Sequence, residues 1–251
     1  VVTLIDVHSH LTDPSFKDIV EVLKRAKAAG VERVITSLMD PAEIERGLEI
    51  IRLYPNMISI TMGFDPCIIA EREYLIFLDA IKKNRNNLVG IGEVGLDHFR
   101  IKDHHQRAIQ ESLFRSSIRL ARSMDLPLIV HSRSAGKKAL EVLKEEAAER
   151  VLMHAFDGKV GDALLATKKG YYFSIPTSVV YSIQKQKLAR FLPFESLLLE
   201  TDSPVLSPVR GERNEPANLV HAAEKIGELK MVSGEEVARI TTLNAKNFFK
   251  L

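Results

Sequence analysis

Short apolar runs rich in β-branched residues recur along the chain, separated by longer stretches in which apolar positions return with helical period. The runs fall at 3–7, 33–37, 57–62, 88–92, 128–131, 150–154, 171–175 and 196–200, and predict eight strands. After the first run, Phe16, Ile19, Val20 and Leu23 fall at i, i+3, i+4 and i+7 before a stop at Gly30, the spacing of an amphipathic helix. Asp40-Pro41-Ala42-Glu43 reads as a helix start, with a capping acid, a proline in the first turn and a second acid three residues on. Ser233-Gly234-Glu235-Glu236 opens the last helix in the same way.

Eight strands alternating with helices, without a break in composition or a linker, predict an α/β fold of the (β/α)8 TIM-barrel type in a single domain spanning 1–251. The rival is a doubly wound open sheet. It is weakened because no glycine-rich dinucleotide turn follows the first strand and no GxxxxGK[ST] phosphate loop occurs.

Composition narrows the class only a little. With 45% hydrophobic and 27% charged residues the chain is an ordinary globular sequence, not a disordered or fibrous one. A net charge of +2 neither demands nor excludes a nucleic-acid partner, since a local basic patch would suffice. One cysteine, Cys67, precludes an internal disulfide, and with no signal-peptide pattern it points to the cytoplasm. Lying among Pro66, Ile68 and Ile69 with no adjacent cation, it reads as structural. The apolar runs fall short of the roughly 20 residues that cross a membrane, and no heptad seam points to an obligate protein partner.

Polar residues gather at the C-terminal ends of the predicted strands, where barrel enzymes build their active sites. The first strand reads Asp6-Val7-His8-Ser9-His10, and strand alternation puts Asp6, His8 and His10 on one face. Two imidazoles there can grip a divalent ion, with Asp6 one layer deeper as acceptor for a ligand imidazole. Alone, such a pair equally suits a hydrogen-bonded core. The other strand ends shift the balance: Glu93 stands among glycines after the fourth run, His131 and His154 end the fifth and sixth, and Asp202 follows the eighth. Four histidines and two acids in one topological position point to a metal centre.

Glu200 faces the same way as Asp202 but deeper, and reads as a partner for a ligand or as an independently satisfied buried acid. Arg133, beside His131, suits a phosphate oxygen. Arg210 and Arg213 either line the same mouth or form a solvated rim. Lys82, Lys83 and residues 185–190 read as solvated helix faces, and His104 and His105 as an exposed helix start; His98 stands nearer the site.

The ordered set DVHSHL at 6–11, GEVGLD at 92–97, PLIVHSR at 127–133, MHAFDG at 153–158, ETDSP at 200–204 and RNEP at 213–216 resembles the TatD-type metal-dependent deoxyribonucleases of the amidohydrolase superfamily. The resemblance implies metal ligands at His8, His10, Glu93, His131, His154 and Asp202. One ion would sit on the paired histidines and Asp202, and Glu93 would bridge it to a second on His131 and His154. It further implies a phosphodiesterase acting from the 3′ end of DNA, with Asp202 as general base toward a water between the ions and Glu93 as bridge. Ligands of this kind accept zinc or manganese, and magnesium where waters complete the shell.

The chain departs from the family pattern in three places. Gly63-Phe64-Asp65-Pro66 replaces a Gly-x-His-Pro run, Ser134 replaces an acid, and His98 replaces one of two aromatics. None is an implied ligand, so the departures bear on substrate. Asp65 would bring negative charge to the pocket, which leaves another ester or amide, such as a misacylated tRNA, as the alternative substrate; a non-catalytic nucleic-acid-binding barrel is a third reading.

Overall fold

The computed structural model describes residues 3–251. Among the described residues run eight strands: β1 (Leu4–Ser9), β2 (Val31–Leu38), β3 (Ile58–Met62), β4 (Leu88–Gly95), β5 (Leu128–His131), β6 (Val151–Met153), β7 (Tyr172–Pro176) and β8 (Leu197–Glu200). The helices are α1 (Ile19–Ala28), α2 (Ile44–Leu53), α3 (Glu71–Lys83), α4 (His104–Ser123), α5 (Gly136–Glu145), α6 (Val160–Thr167), α7 (Ile183–Phe191), α8 (Leu219–Lys230) and α9 (Gly234–Phe249). Every strand pairs in parallel with its chain neighbour. Past β8, Asp202 N–H donates to the His8 carbonyl at 2.9 Å and His10 N–H to the Ser203 carbonyl at 2.7 Å, joining the last strand's exit to the first. The fold is the (β/α)8 barrel that the strand pattern predicts.

Two packing layers arise from strand alternation. Leu128 and Val130 of β5, Val151 and Met153 of β6, and Leu197 and Leu199 of β8 belong to the large cluster shared with the helices. Ile129, Leu152 and Leu198 instead meet Ile5, Val7 and Ile35 from across the ring, which only the barrel interior allows. Phe248 and Phe249 of α9 complete this inner cluster, and Asn244 fastens α9 to the base of β8 through the carbonyls of Phe194 and Leu197. The floor is therefore apolar, and the polar residues are left to the mouth.

Both helix starts have their predicted caps. Asp40 accepts from Ala42 N–H, and Glu43 closes a capping box around a single 3₁₀ turn that leads into α2. Ser233 accepts from Glu236 N–H at the start of α9. The first helix differs from expectation. It begins only at Ile19, so Phe16 reaches the core from the preceding turns, and the buried face is Val22, Leu23 and Ala26 while Val20 is exposed.

β1 and β4 also run further than their apolar stretches, and each carries an irregularity. Against β2, Asp6 pairs Val34 but Ser9 pairs Thr36, three residues spanning two; against β5, Ile91 pairs Leu128 but Val94 pairs Val130. An extra residue of this kind switches the facing of the residues beyond it. Val7 and His8 therefore both turn inward, and Asp6 lies on the opposite face from His8, not on the shared face that simple alternation predicts.

Close backbone approach explains two of the glycines. A Cβ on Gly63 would lie 2.2 Å from the Glu93 carbonyl oxygen, and one on Gly95, whose φ is +146°, would lie 2.1 Å from that of His131. Gly95→Ala must part β4 from β5 at the level of Glu93 and His131. It is expected to cost about 1–3 kcal/mol and to lower metal content; an unchanged urea midpoint would contradict this account of the β4–β5 contact.

Candidate metal centre

The six strand-end residues converge on one point. His8 Nε2 and His10 Nε2 lie 3.2 Å apart, and they stand 3.1 and 3.5 Å from Glu93 Oε2. Asp202 Oδ1 stands 3.7 Å from the first and 3.4 Å from the second. Two atoms each bound at about 2.1 Å to a tetrahedral ion are about 3.4 Å apart. These separations therefore fit the edges of one coordination shell. The other oxygen of Glu93, Oε1, faces a second set: His131 Nδ1 at 2.5 Å and His154 Nε2 at 3.6 Å. The donors within each set, His8–His10–Glu93 and Glu93–His131–His154, all lie within 4.8 Å of one another. This donor set fits divalent ions on either side of a shared carboxylate.

Each outer imidazole is oriented from behind. Asp97 Oδ2 lies 3.0 Å from His131 Nε2, leaving Nδ1 toward Glu93, and Asp97 is itself held by Arg100 N–H at 2.7 Å. Glu200 takes the same role for His154: its Oε2 lies 3.0 Å from Nδ1, leaving Nε2 inward. Ala155 N–H and the Ser174 hydroxyl donate to the same carboxylate at 2.8 and 2.6 Å. Such partners fix tautomer and ring direction. Nothing in the strand pattern singled out Asp97; its place as the last residue of the GEVGLD stretch, four past Glu93, is the available signal.

Asp6 acts otherwise than expected. It reaches no imidazole; it accepts from Thr201 N–H at 2.9 Å, the Thr201 hydroxyl at 2.5 Å and His8 N–H at 3.4 Å. It thus holds the backbone between Glu200 and Asp202, because the irregularity in β1 turns it away from the rings. Burial pushes its carboxyl up to about 8, against the lowering effect of the Thr201 bonds.

Charge is concentrated here. Burial opposes ionisation of Glu93 and Asp202, yet the imidazoles around them, His154 foremost, hold both carboxyls below the usual range. Reciprocally, burial opposes the imidazolium forms, but Glu93 and Asp97 raise His131 to about 9, and Glu200, Asp202 and Glu93 raise His154 to about 10. His8 goes the other way, lowered by burial and by His154, whose ring stacks on it at 3.9 Å. The carboxylates demand cations, which are protons when no metal is bound.

The centre opens into a cavity of about 630 Å³ lined also by Asp65, Arg133, Asp97, Arg100 and Lys185. Asp65 spends one oxygen on Cys67 N–H at 2.8 Å. Arg210 and Arg213 do not line it. Arg210 packs on Tyr181 at 4.5 Å, and Arg213 is clamped to Asp18 and the Ser15 carbonyl over Phe16, an ion pair that ties the loop to the segment before α1. In the same loop Asn214 is fully buried and donates to the carbonyls of Thr201 and Val205, which shapes the exit from Asp202. Lys185 is also not the solvated residue expected: its ammonium bonds the carbonyls of Ala155 and Phe156, each at 2.7 Å, next to His154. Burial, with Asp65 and Asp97 near, pushes the Cys67 thiol up to about 12. His104 and His105 are exposed, as expected, and His98 is half-buried.

Residues 5–250 match the sequence pattern described as TatD related DNase. The deoxyribonuclease TATDN3 of Homo sapiens is 38% identical over 99% of this chain and 95% of its own length. The metal-dependent hydrolase YabD of Bacillus subtilis is 37% identical over 99% of each. The crystal structure of YJJV, a TatD homologue from Escherichia coli, superimposes with a TM-score of 0.91 at 27% identity, covering 99% of this chain and 98% of that one. With a match over nearly its whole length and a metal-type donor set at its mouth, the chain belongs to the TatD-related DNase family of hydrolases.

Proposed function

We propose that the protein is a divalent-metal-dependent phosphodiesterase that removes nucleotides from the 3′ end of DNA. One observation carries this reading: the two oxygens of Glu93 face different imidazoles, Oε2 those of His8 and His10 and Oε1 those of His131 and His154, while Asp202 stands near His8 and His10 and groups with His8 and His154. Magnesium, manganese or zinc held by these residues would act as a Lewis acid on the phosphoryl oxygens and stabilise both the entering and the leaving oxygen.

The chain's own groups supply the rest. Asp202, held ionised by its neighbours and lining the cavity, accepts the proton of the attacking water as the new P–O bond forms and the P–O3′ bond breaks; that proton is then available to the departing 3′ oxygen. Glu93 stays unprotonated between the imidazoles. Asp97 and Glu200 keep His131 and His154 in the tautomers that present Nδ1 and Nε2 inward. Arg133 meets a phosphate oxygen from the cavity wall, while the charge of Asp65 repels phosphate and biases the strand toward the arginine side. Arg210 and Arg213 have no part in this. Among the described residues no helix is long and apolar enough to cross a membrane.

Metal-stripped protein given back single ions is expected to release mononucleotides from single-stranded DNA, and Asp202→Asn to lower kcat by about 10²–10⁴-fold. Absence of release under every divalent ion would sink the proposal, and turnover of aminoacyl esters instead would favour the alternative substrate. Asp65→His is expected to lower KM for DNA if its charge does repel the strand. The ionisations give a second test. In metal-free protein His131 and His154 have folded values of about 9 and about 10, above the ordinary 6.5. Their stabilisation is complete below pH 6.5 and lost as pH rises through those values. Metal displaces these protons and binds more tightly as pH rises. Melting scans should therefore show Tm of the stripped protein falling between pH 7 and 10 and the gain from manganese growing; a flat metal-free profile would contradict the charge arrangement.

A further inference from the structure

Phe99, just past the end of β4, is 51% exposed. It stands two residues beyond Asp97, which touches His131. The Arg133 guanidinium lies over its ring at 3.9 Å from the centroid, and the Lys102 ammonium at 5.2 Å. Backbone bonds hold this pairing in place: Leu96 N–H donates to the His131 carbonyl at 3.0 Å and His98 N–H to that of Arg133 at 2.9 Å, so the two strand exits are zipped together.

The cations here are free to act. Arg133 and Arg100 both line the catalytic cavity, and among the described residues neither guanidinium forms an ion pair with a carboxylate. Arg100 reaches only the Cys67 sulfur, at 4.0 Å. A half-exposed ring with Arg133 and Lys102 over it, joined through Arg133 to the cavity at the metal centre, matches how proteins hold single strands: bases stack on the aromatic surface while the cations track the backbone. Charge complementarity selects a polyanion, and the ring selects one with an uncovered base.

Resting on the phosphodiesterase reading above, we propose that Phe99 stacks a base of the substrate strand beside the scissile bond while Arg133 and Arg100 hold the adjoining phosphates.

The test is binding, which separates it from turnover. Manganese-loaded protein is titrated with a fluorescent single strand whose terminal P–O3′ linkage is replaced by an uncleavable P–CH2 linkage, and with the same strand made abasic at its 3′ end, read by anisotropy. Adding Phe99→Ala should weaken binding of the normal strand about 5- to 100-fold and leave the abasic strand unchanged, while Phe99→Trp restores the difference. Arg133→Met should reduce the slope of log affinity against log salt by about one. Equal loss on both strands, no loss on either, or no binding of DNA at all would overturn the proposal. If wild-type protein releases no nucleotide yet the base-dependent difference persists, the hydrolytic reading falls and the strand-binding platform stands.

Discussion

Glu93 places a negative charge inside the barrel mouth, 4% exposed, where water cannot solvate it adequately. Four imidazoles surround it and share its two oxygens. That one requirement propagates outward. Each ring that turns a nitrogen to Glu93 must satisfy its other nitrogen, which Asp97 and Glu200 do for His131 and His154; Glu200 in turn needs donors, which are Ala155 N–H and the Ser174 hydroxyl. The groups of this network depend on one another, so removing one member leaves another buried group unpaired.

The backbone is built to serve this arrangement. Regular alternation would send His8 to the outer layer if Val7 faced inward, and the extra residue in β1 lets both point in. The same device in β4 delivers Glu93. Glycines at 63 and 95 let the strands approach closely enough for His131 to meet the carboxylate. Beneath it, Phe248 and Phe249 seal the inner cluster with apolar surface, which confines the polar groups to one end.

Much of this is legible in the chain itself, because barrel topology converts sequence position into spatial position. A residue at the C-terminal end of a parallel strand lies at the mouth whichever strand carries it, so His8, Glu93, His131, His154 and Asp202 can be gathered without coordinates. Loop residues have no such rule. Arg213 read as either part of the mouth or a solvated rim and is bound to Asp18; Lys185 read as solvated and is folded onto the carbonyls after His154. Helical phase failed for Val20 because the helix starts three residues later than Phe16 suggested.

The sequence by itself determined the eight-strand alternation, the helix caps at Asp40 and Ser233, and the gathering of four histidines and two acids at the barrel mouth, because these depend on period and on residue type at helix starts and strand ends. Only the tertiary structure decided that Asp6 supports backbone rather than a ring, that Asp97 and Glu200 back His131 and His154, and which arginines face the cavity. Those outcomes turn on one-residue irregularities and on contacts between segments far apart in the chain, such as Asp6 with Thr201 and Asp18 with Arg213. A linear pattern encodes neither.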